Sequence, residues 1–370
     1  AGLIDFQNGA LTDARALLGQ MASALAGRLN EQQALGLDQR QPPGAGAPLL
    51  SVGALRVLAA SSNTGGSTVG VAVADVRQLQ ASDYELRPDA ANPGEYTLTR
   101  LSDGLVRNVL PGDTVDGFTL TIGAPAPAAG DRFLLQPVSR AAAGVSRALD
   151  DPKGIAAASQ VLATTGADNA GTASVATLRT VSTALDPDLT ADIAFTDDNG
   201  NYTWTLTDAA NTVVASGTGS WSAGTPIALN GFELQLNGVP RSGDTLQVAR
   251  TQYPGTNNGN ALSLLDLRDE GMVGRQLLSD GSLSPGDTIT AAYARAMADI
   301  GVRVQSARAS ENISRAVATD AEALRSAKSG VNLDEEAARL IQYQQGYQAA
   351  AKVLQIAQSV FDTLIETAGR

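Results

Sequence analysis

The sequence predicts an α+β multidomain protein. A long α-helical bundle or coiled-coil stem is built from both ends of the chain and carries two inserted antiparallel β domains. Apolar residues recur at helical spacing near both ends, strand-like alternation with Gly, Pro, Asn and Asp turns lies between, and a seven-residue repeat runs to the end of the chain. The expected domains are the helical stem 1–40 with 256–330, the first β domain 49–140, the Ala-rich connector 141–171, the second β domain 172–252 and the terminal amphipathic assembly helix 331–370.

The terminal segment carries the repeat. Large residues stand at every seventh position, namely Leu333, Leu340, Tyr347, Leu354 and Phe361. Four places after each stand Ala337, Gln344, Ala351, Gln358 and Ile365. A helix from Leu333 to Ala368 would be about 54 Å long, and burying the large residues would contribute at most about 10 kcal/mol. Most of the residues four places after the large ones are small or polar, which favours a larger helical array over a two-stranded zipper. A helix of an intramolecular bundle fits the same pattern.

The start of this helix is marked by capping residues. Asn332 and Glu335 have the spacing of a capping box, and Asp334 and Glu336 add negative charge near the positive end of the helix dipole. Gly330 suits the position after the end of the preceding helix. We therefore expect two separate helices on either side of residue 330.

The helical stem is predicted from two other segments. In residues 1–38 the expected apolar face is Ala14, Leu18, Met21, Leu25 and Leu29, with Gly36 as the stop and a breaker-rich linker at 41–48. Ser284, Pro285 and Asp287 make a good helix start. The expected apolar face of the helix that follows is Ile289, Tyr293, Met297, Ile300, Val304 and Ala307.

The two strand-rich stretches repeat each other. The first carries Asp116-Gly117-Phe118 and later Gly130-Asp131; the second carries Asn230-Gly231-Phe232 and later Gly243-Asp244. Each set is preceded by a Tyr-Thr-rich strand, at 96–100 and 202–206. This pattern indicates either a duplicated β module or two modules that use the same hairpin chemistry.

Composition excludes several classes of function. The 370 residues have a net charge of −12 and only three lysines, Lys153, Lys328 and Lys352, so binding to nucleic acid or anionic lipid is not expected. Histidine and cysteine are absent from the sequence, which removes the commonest general base, the thiol nucleophile and the commonest transition-metal ligands. The sequence has neither a signal-like start nor an apolar run of about 18 residues, so we expect no Sec export and no membrane insertion.

The candidates for chemistry are weak. The Gly-rich run 65–70 lacks the Gly-Lys-Ser/Thr ending of a phosphate loop. The Asp197–Asn201 run resembles a calcium loop, but Asn199-Gly200 is a favoured hairpin turn. The acidic pairs Asp150/Asp151 and Asp186/Asp188 adjoin prolines and are better read as turns than as a glycosidase pair. We therefore expect no catalytic residue, cofactor or metal, and no enzyme activity.

Several motifs carry a resemblance to a known family. The run Val331–Glu336, the group Tyr343, Gln344, Gln345, Tyr347 and Ala350, and the run Phe361–Leu364 resemble the C-terminal signature of flagellar axial proteins. Gly2–Phe6, the helix end with Asn30, Gln33 and Gly36–Asp38, Ser51–Gly53 and Asp151–Ala156 resemble the family of flagellar hook-associated protein 1. The resemblance covers nearly the whole chain.

The resemblance implies a junction subunit between hook and filament, with a helical inner part and outward β domains. It implies unfolded export through the flagellar type III pathway, an export chaperone that holds the terminal helix, and an extracellular place on the flagellum after a cytoplasmic stage. The implied partners are the hook protein, the second hook–filament junction protein and copies of the chain in a ring. The interface residues matching the family are Leu333, Leu340, Ile341, Tyr347, Leu354, Phe361 and Ile365.

The family's N-terminal helices have no counterpart here, so the sequence is expected to be a fragment that lacks the N-terminal part. Two alternatives stay open. One is another flagellar axial protein, either a flagellin or the other hook–filament junction protein, because the terminal signature is shared. The other is a secreted adhesin or enzyme with a helical stalk.

Overall fold

The computed structural model describes residues 6–7, 9–278, 280–330 and 333–368. It divides into two compact units, residues 1–300 and residues 301–370. The α-helices of more than two residues are α1 Ala10–Ala34, α2 Gly259–Asp266, α3 Ile289–Ser329 and α4 Leu333–Ala368. Short 3-10 helices span Ala142–Gly144, Pro152–Gly154, Pro254–Thr256 and Leu267–Asp269. Helices therefore lie toward both ends of the chain with antiparallel sheets between them, as predicted.

The strands fall into two successive sets. The first set is β1 Gly36–Leu37, β2 Leu50–Ser51, β3 Arg56–Ala59, β4 Val69–Val73, β5 Tyr84–Pro88, β6 Tyr96–Arg100, β7 Val106–Val109, β8 Thr114–Val115, β9 Phe118–Ile122, β10 Phe133–Gln136, β11 Ser146–Arg147 and β12 Ala158–Ser159. The second set is β13 Val161–Thr165, β14 Ser174–Thr180, β15 Thr190–Phe195, β16 Asn201–Thr207, β17 Val213–Ser220, β18 Ile227–Leu229, β19 Phe232–Asn237 and β20 Thr245–Arg250. Strand β13 falls inside the stretch predicted as a connector.

The repeat seen in the sequence is a repeat of topology. The first five-stranded sheet has the order β3-β10-β5-β6-β7, and the second has the order β13-β20-β15-β16-β17. Each is accompanied by a three-stranded sheet, β4-β9-β8 and β14-β19-β18. Each strand from β13 to β20 therefore has the same position in its sheet as the strand with a number lower by ten has in the first set. For example, β13 corresponds to β3 and β20 corresponds to β10. We call the two assemblies the first β module (β3–β10) and the second β module (β13–β20).

The turn before each central phenylalanine explains part of the repeated sequence. Asp116 and Gly117 have φ of 47° and 81°, and Asn230 and Gly231 have φ of 42° and 76°. Two successive residues with positive φ are typical of a tight hairpin turn, which favours Asn or Asp followed by Gly. The next residue then starts a buried strand.

Each β module has its own hydrophobic core. The buried core of the first module contains Leu79, Tyr84, Leu86, Tyr96, Leu98, Val109, Phe118, Leu120, Phe133, Leu135 and Val138, with Ala16 of α1 packed against them. The buried core of the second contains Val161, Leu185, Ala191, Ile193, Phe195, Tyr202, Leu206, Trp221, Ile227, Phe232, Leu234, Leu236, Leu246 and Val248. The alternation of these residues along their strands places one face of each sheet inward.

A third core joins the helical parts of residues 1–300. Its buried members are Met21, Ala24, Leu267, Met272, Val273, Ala292 and Ala296. The chain before the β modules and the chain after them therefore share one apolar cluster.

The predicted apolar faces of these helices are partly wrong. Leu18 and Leu25 of α1 are exposed, whereas Gly19 and Ala24 are buried. A Cβ on Gly19 would lie 1.9 Å from the Val138 carbonyl oxygen, so the helix approaches its neighbour too closely for large side chains. Close helix packing of this kind selects small residues rather than leucines.

Helix α3 differs from its prediction in a similar way. Its buried residues are Ala292 and Ala296, while Tyr293 and Met297 are exposed. It begins at Ile289 rather than next to Pro285. Thr288 caps it, because its Oγ1 accepts a hydrogen bond from the Ala291 N–H at 3.2 Å.

Polar side chains at the end of α1 fix the loops that follow. The Gln33 side-chain amide donates to the Gly154 carbonyl at 2.8 Å and accepts from the Ala156 N–H at 3.3 Å. The Asn30 side-chain oxygen accepts from the Leu49 N–H at 2.8 Å. Side-chain amides can pair with a loop backbone in this way because they carry both a donor and an acceptor.

Candidate assembly site

Helix α4 is the terminal helix predicted from the seven-residue repeat. It runs over Leu333–Ala368, and Arg339 forms ion pairs with Glu335 at 3.2 Å and with Glu336 at 3.3 Å in its first turns. The acidic first turn suits the positive end of the helix dipole. The expected capping residue Asn332 lies outside the described residues. The preceding helix ends at Ser329, directly before Gly330, as predicted.

All seven predicted interface residues lie on α4, and all are exposed. The most exposed is Leu333 at 80%, and the least exposed is Ile341 at 56%. No residue of 333–368 is buried in the structure. Large apolar side chains are rarely left open in such numbers on a soluble protein, because each exposed patch favours association. These residues remain a predicted interface.

The seven residues do not form one straight line. Seven residues of an ideal helix fall about 20° short of two full turns, so the row from Leu333 to Phe361 drifts gradually around α4. Ile365 follows Phe361 by four residues and stays near this row. Ile341 comes directly after Leu340 and therefore points about 100° away from it. The predicted set thus covers a broad face rather than a narrow seam.

A second apolar row was missed by the sequence reasoning. Val353, Ile356, Val360 and Leu364 are all more than half exposed. They are spaced three or four residues apart, the same spacing that was used for the other helices, so the signal was present. This row widens the apolar face in the second half of α4. A helix that is apolar over more than one face is suited to contact several neighbours.

Helix α3 adds exposed apolar residues beyond residue 300. Ile313, Val317 and Leu324 are each more than 60% exposed and are spaced four and seven residues apart. This spacing places them along one side of a helix. The segment 301–329 therefore belongs to the candidate assembly site together with α4.

The weak candidates for chemistry have structural partners. At the start of the Gly-rich run, the Gly65 N–H and the N–H of the preceding Thr64 donate to Asp131. Asp197 accepts hydrogen bonds from the Asn199 and Asn201 N–H groups, at 2.9 and 3.1 Å, within its own turn. The Asn201 side chain and these backbone groups lower the pKa of Asp197 below its usual range despite partial desolvation.

The acidic pairs behave in the same way. The Asp188 carboxylate pairs with Arg250, and its N–H donates to the Asp186 carboxylate at 3.0 Å. Asp151 accepts from the Lys153 N–H at 3.0 Å, and Asp150 pairs with Arg147 at 2.7 Å. Among the described residues, no group of three or more acidic side chains is arranged to hold a metal ion. No described helix has the length and apolar character needed to cross a membrane.

Three protein-family models match the chain. The model described as the helical domain of flagellar hook-associated protein FlgK matches residues 1–48. The model described as the D2-like domain of flagellar hook-associated protein 1 matches residues 58–137, most of the first β module. The model described as the C-terminal part of the flagellar basal body rod proteins FlgEFG matches residues 325–367, nearly all of α4.

Relatives cover almost the whole chain. Flagellar hook-associated protein 1 of Salmonella typhimurium is 26% identical over 374 residues, which cover 98% of this chain and 49% of the relative. The protein of the same name from Escherichia coli K12 is 25% identical over 368 residues, which cover 98% of this chain and 48% of the relative. The chain therefore spans about half the length of the curated relatives it matches.

A solved structure supports the same assignment. The flagellar hook junction protein FlgK from Burkholderia pseudomallei matches with a TM-score of 0.68 and 30% identity, over 90% of this chain and 62% of that chain. The match thus extends to the fold as well as the sequence. From the helical segment at its start, through the β modules, to the exposed terminal helix, the chain resembles flagellar hook-associated protein 1 in sequence and in fold.

Proposed function

We propose that this chain is a structural subunit of the bacterial flagellum, without enzyme activity, at the junction between hook and filament. It assembles through its terminal helices after flagellar type III export. The observation that carries this proposal is the exposure of the apolar rows on α4, which have no cover among the described residues. Burying such rows between neighbouring helices would supply the driving force for assembly.

The architecture supports a stem that carries two β domains. Under this proposal, 1–40 with 256–330 form the coiled-coil stem, 49–140 and 172–252 are the inserted domains, 141–171 connects them, and 331–370 is the assembly helix. Met21, Met272 and Ala292 share one core, which supports joining residues 1–40 and residues 256–330 in one stem. The separate cores of the β modules support two independent insertions.

The proposed partners follow from the same reading. They are the hook protein, the second hook–filament junction protein, copies of this chain in a ring, and an export chaperone that covers α4 in the cytoplasm. The apolar rows of α4 suit both the chaperone and the ring, because each would bury the same side chains. The proposed final location is the extracellular flagellum.

The experiment compares two variants of α4. Leu354→Asp with Phe361→Asp places charge in the main apolar row, and Gln348→Asp places charge at an exposed polar position of the same helix. We expect the first variant to lose incorporation at the junction by at least tenfold while the control incorporates normally. Both are expressed in full-length form in cells that lack the native protein. Normal incorporation of the double variant would contradict the proposal.

A second candidate is another flagellar axial protein. The match of residues 325–367 to the rod-protein model favours it, because that segment is shared among axial proteins. The D2-like match over residues 58–137 favours the junction instead. Immunogold labelling of isolated flagella distinguishes a junction protein, which labels one point between hook and filament, from a rod protein or a flagellin, which labels the rod or the filament.

A further inference from the structure

Strand β17 forms an open edge of the second β module. It stands last in the sheet order, and β16 is its only partner strand among the described residues. Its eight residues, Val213–Ser220, include no charged residue and no proline. Natural proteins usually protect edges of this length with charge, proline or short strands, because an open edge pairs with other strands. The register of β17 with β16 shifts once, at Val214 near the start of the strand, and residues 215–220 then form a regular open edge. Such an edge indicates a pairing surface.

The first β module has the same edge in a protected form. Strand β7 occupies the position of β17 but has only four residues. It carries Arg107, whose guanidinium lies 3.4 Å from the Asp116 carboxylate. The registers of the two edges correspond. Val109 pairs with Tyr96 in the first module, and Gly219 pairs with Tyr202 in the second. Two residues earlier on each edge strand, Gly217 therefore occupies the position of Arg107. The open edge is thus a property of the second module alone.

The direction of the backbone groups of β17 follows from one hydrogen bond. The Trp221 N–H donates to the Gly200 carbonyl at 2.8 Å, toward the β16 side. N–H and C=O groups of an antiparallel strand alternate between its two sides. Those of Ser216, Thr218 and Ser220 therefore point away from β16, where no strand pairs with them in the described part of the chain.

Small residues leave this edge accessible. A Cβ on Gly217 would lie 2.7 Å from Cζ2 of Trp204, and a Cβ on Gly219 would lie 2.3 Å from Cζ of Tyr202. The two rings cover the inner side of β17, so a larger residue at either glycine would collide with them. The side chains of the outward-pointing positions are hydroxyls, which are exposed on the opposite face.

We propose that β17 pairs antiparallel with β17 of a second copy of this chain, about a two-fold axis at Thr218. In this register Thr218 faces itself and Ser216 faces Ser220, so the three outward-pointing positions of each copy meet in about six backbone hydrogen bonds. Hydroxyl side chains then face one another along the seam, a favourable cross-strand combination.

Charge explains why the second copy is a suitable partner. Each chain carries a net charge of −12, so two copies repel each other wherever carboxylates meet. Strands β16 and β17 carry no charged residue, which gives an approach without opposed carboxylates. A two-fold contact differs from the head-to-tail contacts of a ring. The pairing is therefore a contact between subunits outside the proposed ring and does not depend on α4.

The first test is a cross-link. The chain has no cysteine, so Thr218→Cys introduces a single thiol. Residues that face each other in a hydrogen-bonded pair have Cα atoms about 5.5 Å apart, within the range of a disulfide. We expect mild oxidation of the full chain to give a covalent dimer at least tenfold faster than Asn108→Cys, the same position on β7. Equal rates for the two variants would overturn the proposal.

The second test removes the pairing without a cysteine. The Thr218 N–H is not used by the ladder with β16, so Thr218→Pro leaves that ladder intact. Because both copies carry the substitution, it deletes the two central hydrogen bonds of the proposed pair. We expect its dimerisation to be weakened at least tenfold by sedimentation equilibrium, with Asn108→Pro as the matched control. A dimer of unchanged affinity would overturn the pairing. Adding Leu354→Asp and Phe361→Asp should leave the Thr218→Cys cross-link unchanged, which separates this contact from assembly through α4.

Discussion

Asp131 and Asp244 occupy equivalent places in the two β modules and bind the backbone in the same way. Each follows a glycine with positive φ, Gly130 at 91° and Gly243 at 90°, and each lies just before the last strand of its module. Both carboxylates are almost fully buried. The repeated Gly-Asp pair in the sequence is therefore a repeated hydrogen-bonded corner.

The partners of the two carboxylates are backbone N–H groups from two segments. Asp131 accepts from Thr64 at 2.8 Å and from Ala128 at 2.9 Å. Asp244 accepts from Ala170 at 2.7 Å and from Arg241 at 2.9 Å. In each module the carboxylate thus ties the loop after the first strand to the turn before the last strand, next to the place where these two strands pair.

These bonds predict the effect of pH on stability. Hydrogen bonds from backbone N–H groups, the strongest from Thr64, lower the pKa of Asp131. Burial alone would raise the pKa of Asp244. Hydrogen bonds from the N–H groups of Arg241, Gly171 and Ala170 outweigh this effect and lower its pKa as well. Each carboxylate therefore stabilises the fold fully above its unfolded pKa of about 4, and that contribution is lost as the pH falls through the lower folded value.

We expect Asp131→Asn and Asp244→Asn to lower the melting temperature at pH 7, because an amide presents its NH2 group to some of the backbone donors. The difference from wild type should begin to shrink below about pH 4, where these carboxyls become protonated in the unfolded chain, and should be lost as the pH falls through their lower folded pKa values. Thermal unfolding followed by circular dichroism between pH 3 and pH 8 measures this. A difference that stays constant over the whole range would contradict the assignment.

The two cores predict independent effects of the central phenylalanines. Phe118 and Phe232 are each 1% exposed, and each lies in the core of one module. We expect Phe118→Ala and Phe232→Ala to cost about 3–5 kcal/mol each, within the affected module. Hydrogen exchange resolved by segment should show faster exchange in residues 56–136 for the first variant and in residues 161–250 for the second. Acceleration of both modules by either variant would show that they unfold together.

Gln33 offers a test of the corner between α1 and the loop after the first module. Its side chain is fully buried and bridges Gly154 and Ala156. We expect Gln33→Ala to cost about 1–3 kcal/mol, because it leaves a buried carbonyl and a buried N–H without partners. Urea unfolding measures the change, and Gln41→Ala, at an exposed position, is the control. A cost equal to that of the control would show that water replaces the side chain.

Much of this architecture is predictable from local sequence signals. The turn pairs Asp116-Gly117 and Asn230-Gly231 need residues that tolerate positive φ, so their spacing to the following strands is visible in the sequence. The terminal helix can also be predicted from the sequence, because the seven-residue spacing of its large apolar residues can be read without knowing the fold. Such features depend on few neighbouring residues and are therefore readable without the fold.

Features that depend on distant contacts were not predictable. Gly19 is buried because α1 meets the Val138 carbonyl, and no local pattern reveals that approach. The apolar side of α1 was for this reason assigned to Leu18 and Leu25, which are exposed. The second row on α4, including Val360, was missed for a different reason: the seven-residue repeat was followed from Leu333 alone, and the apolar residues outside that row were not included.

The central claim is that the apolar rows of α4 become covered on assembly. Gln358 lies beside the main row, and Gln358→Cys places a unique thiol there without removing an apolar side chain. The measurement is the rate of maleimide labelling of this thiol in the free subunit and in isolated flagella, with Ser61→Cys in an exposed turn as the reference. We expect fast labelling of position 358 in the free subunit and at least tenfold slower labelling in flagella, while position 61 reacts alike in both. Equal labelling of position 358 in both states would contradict the account.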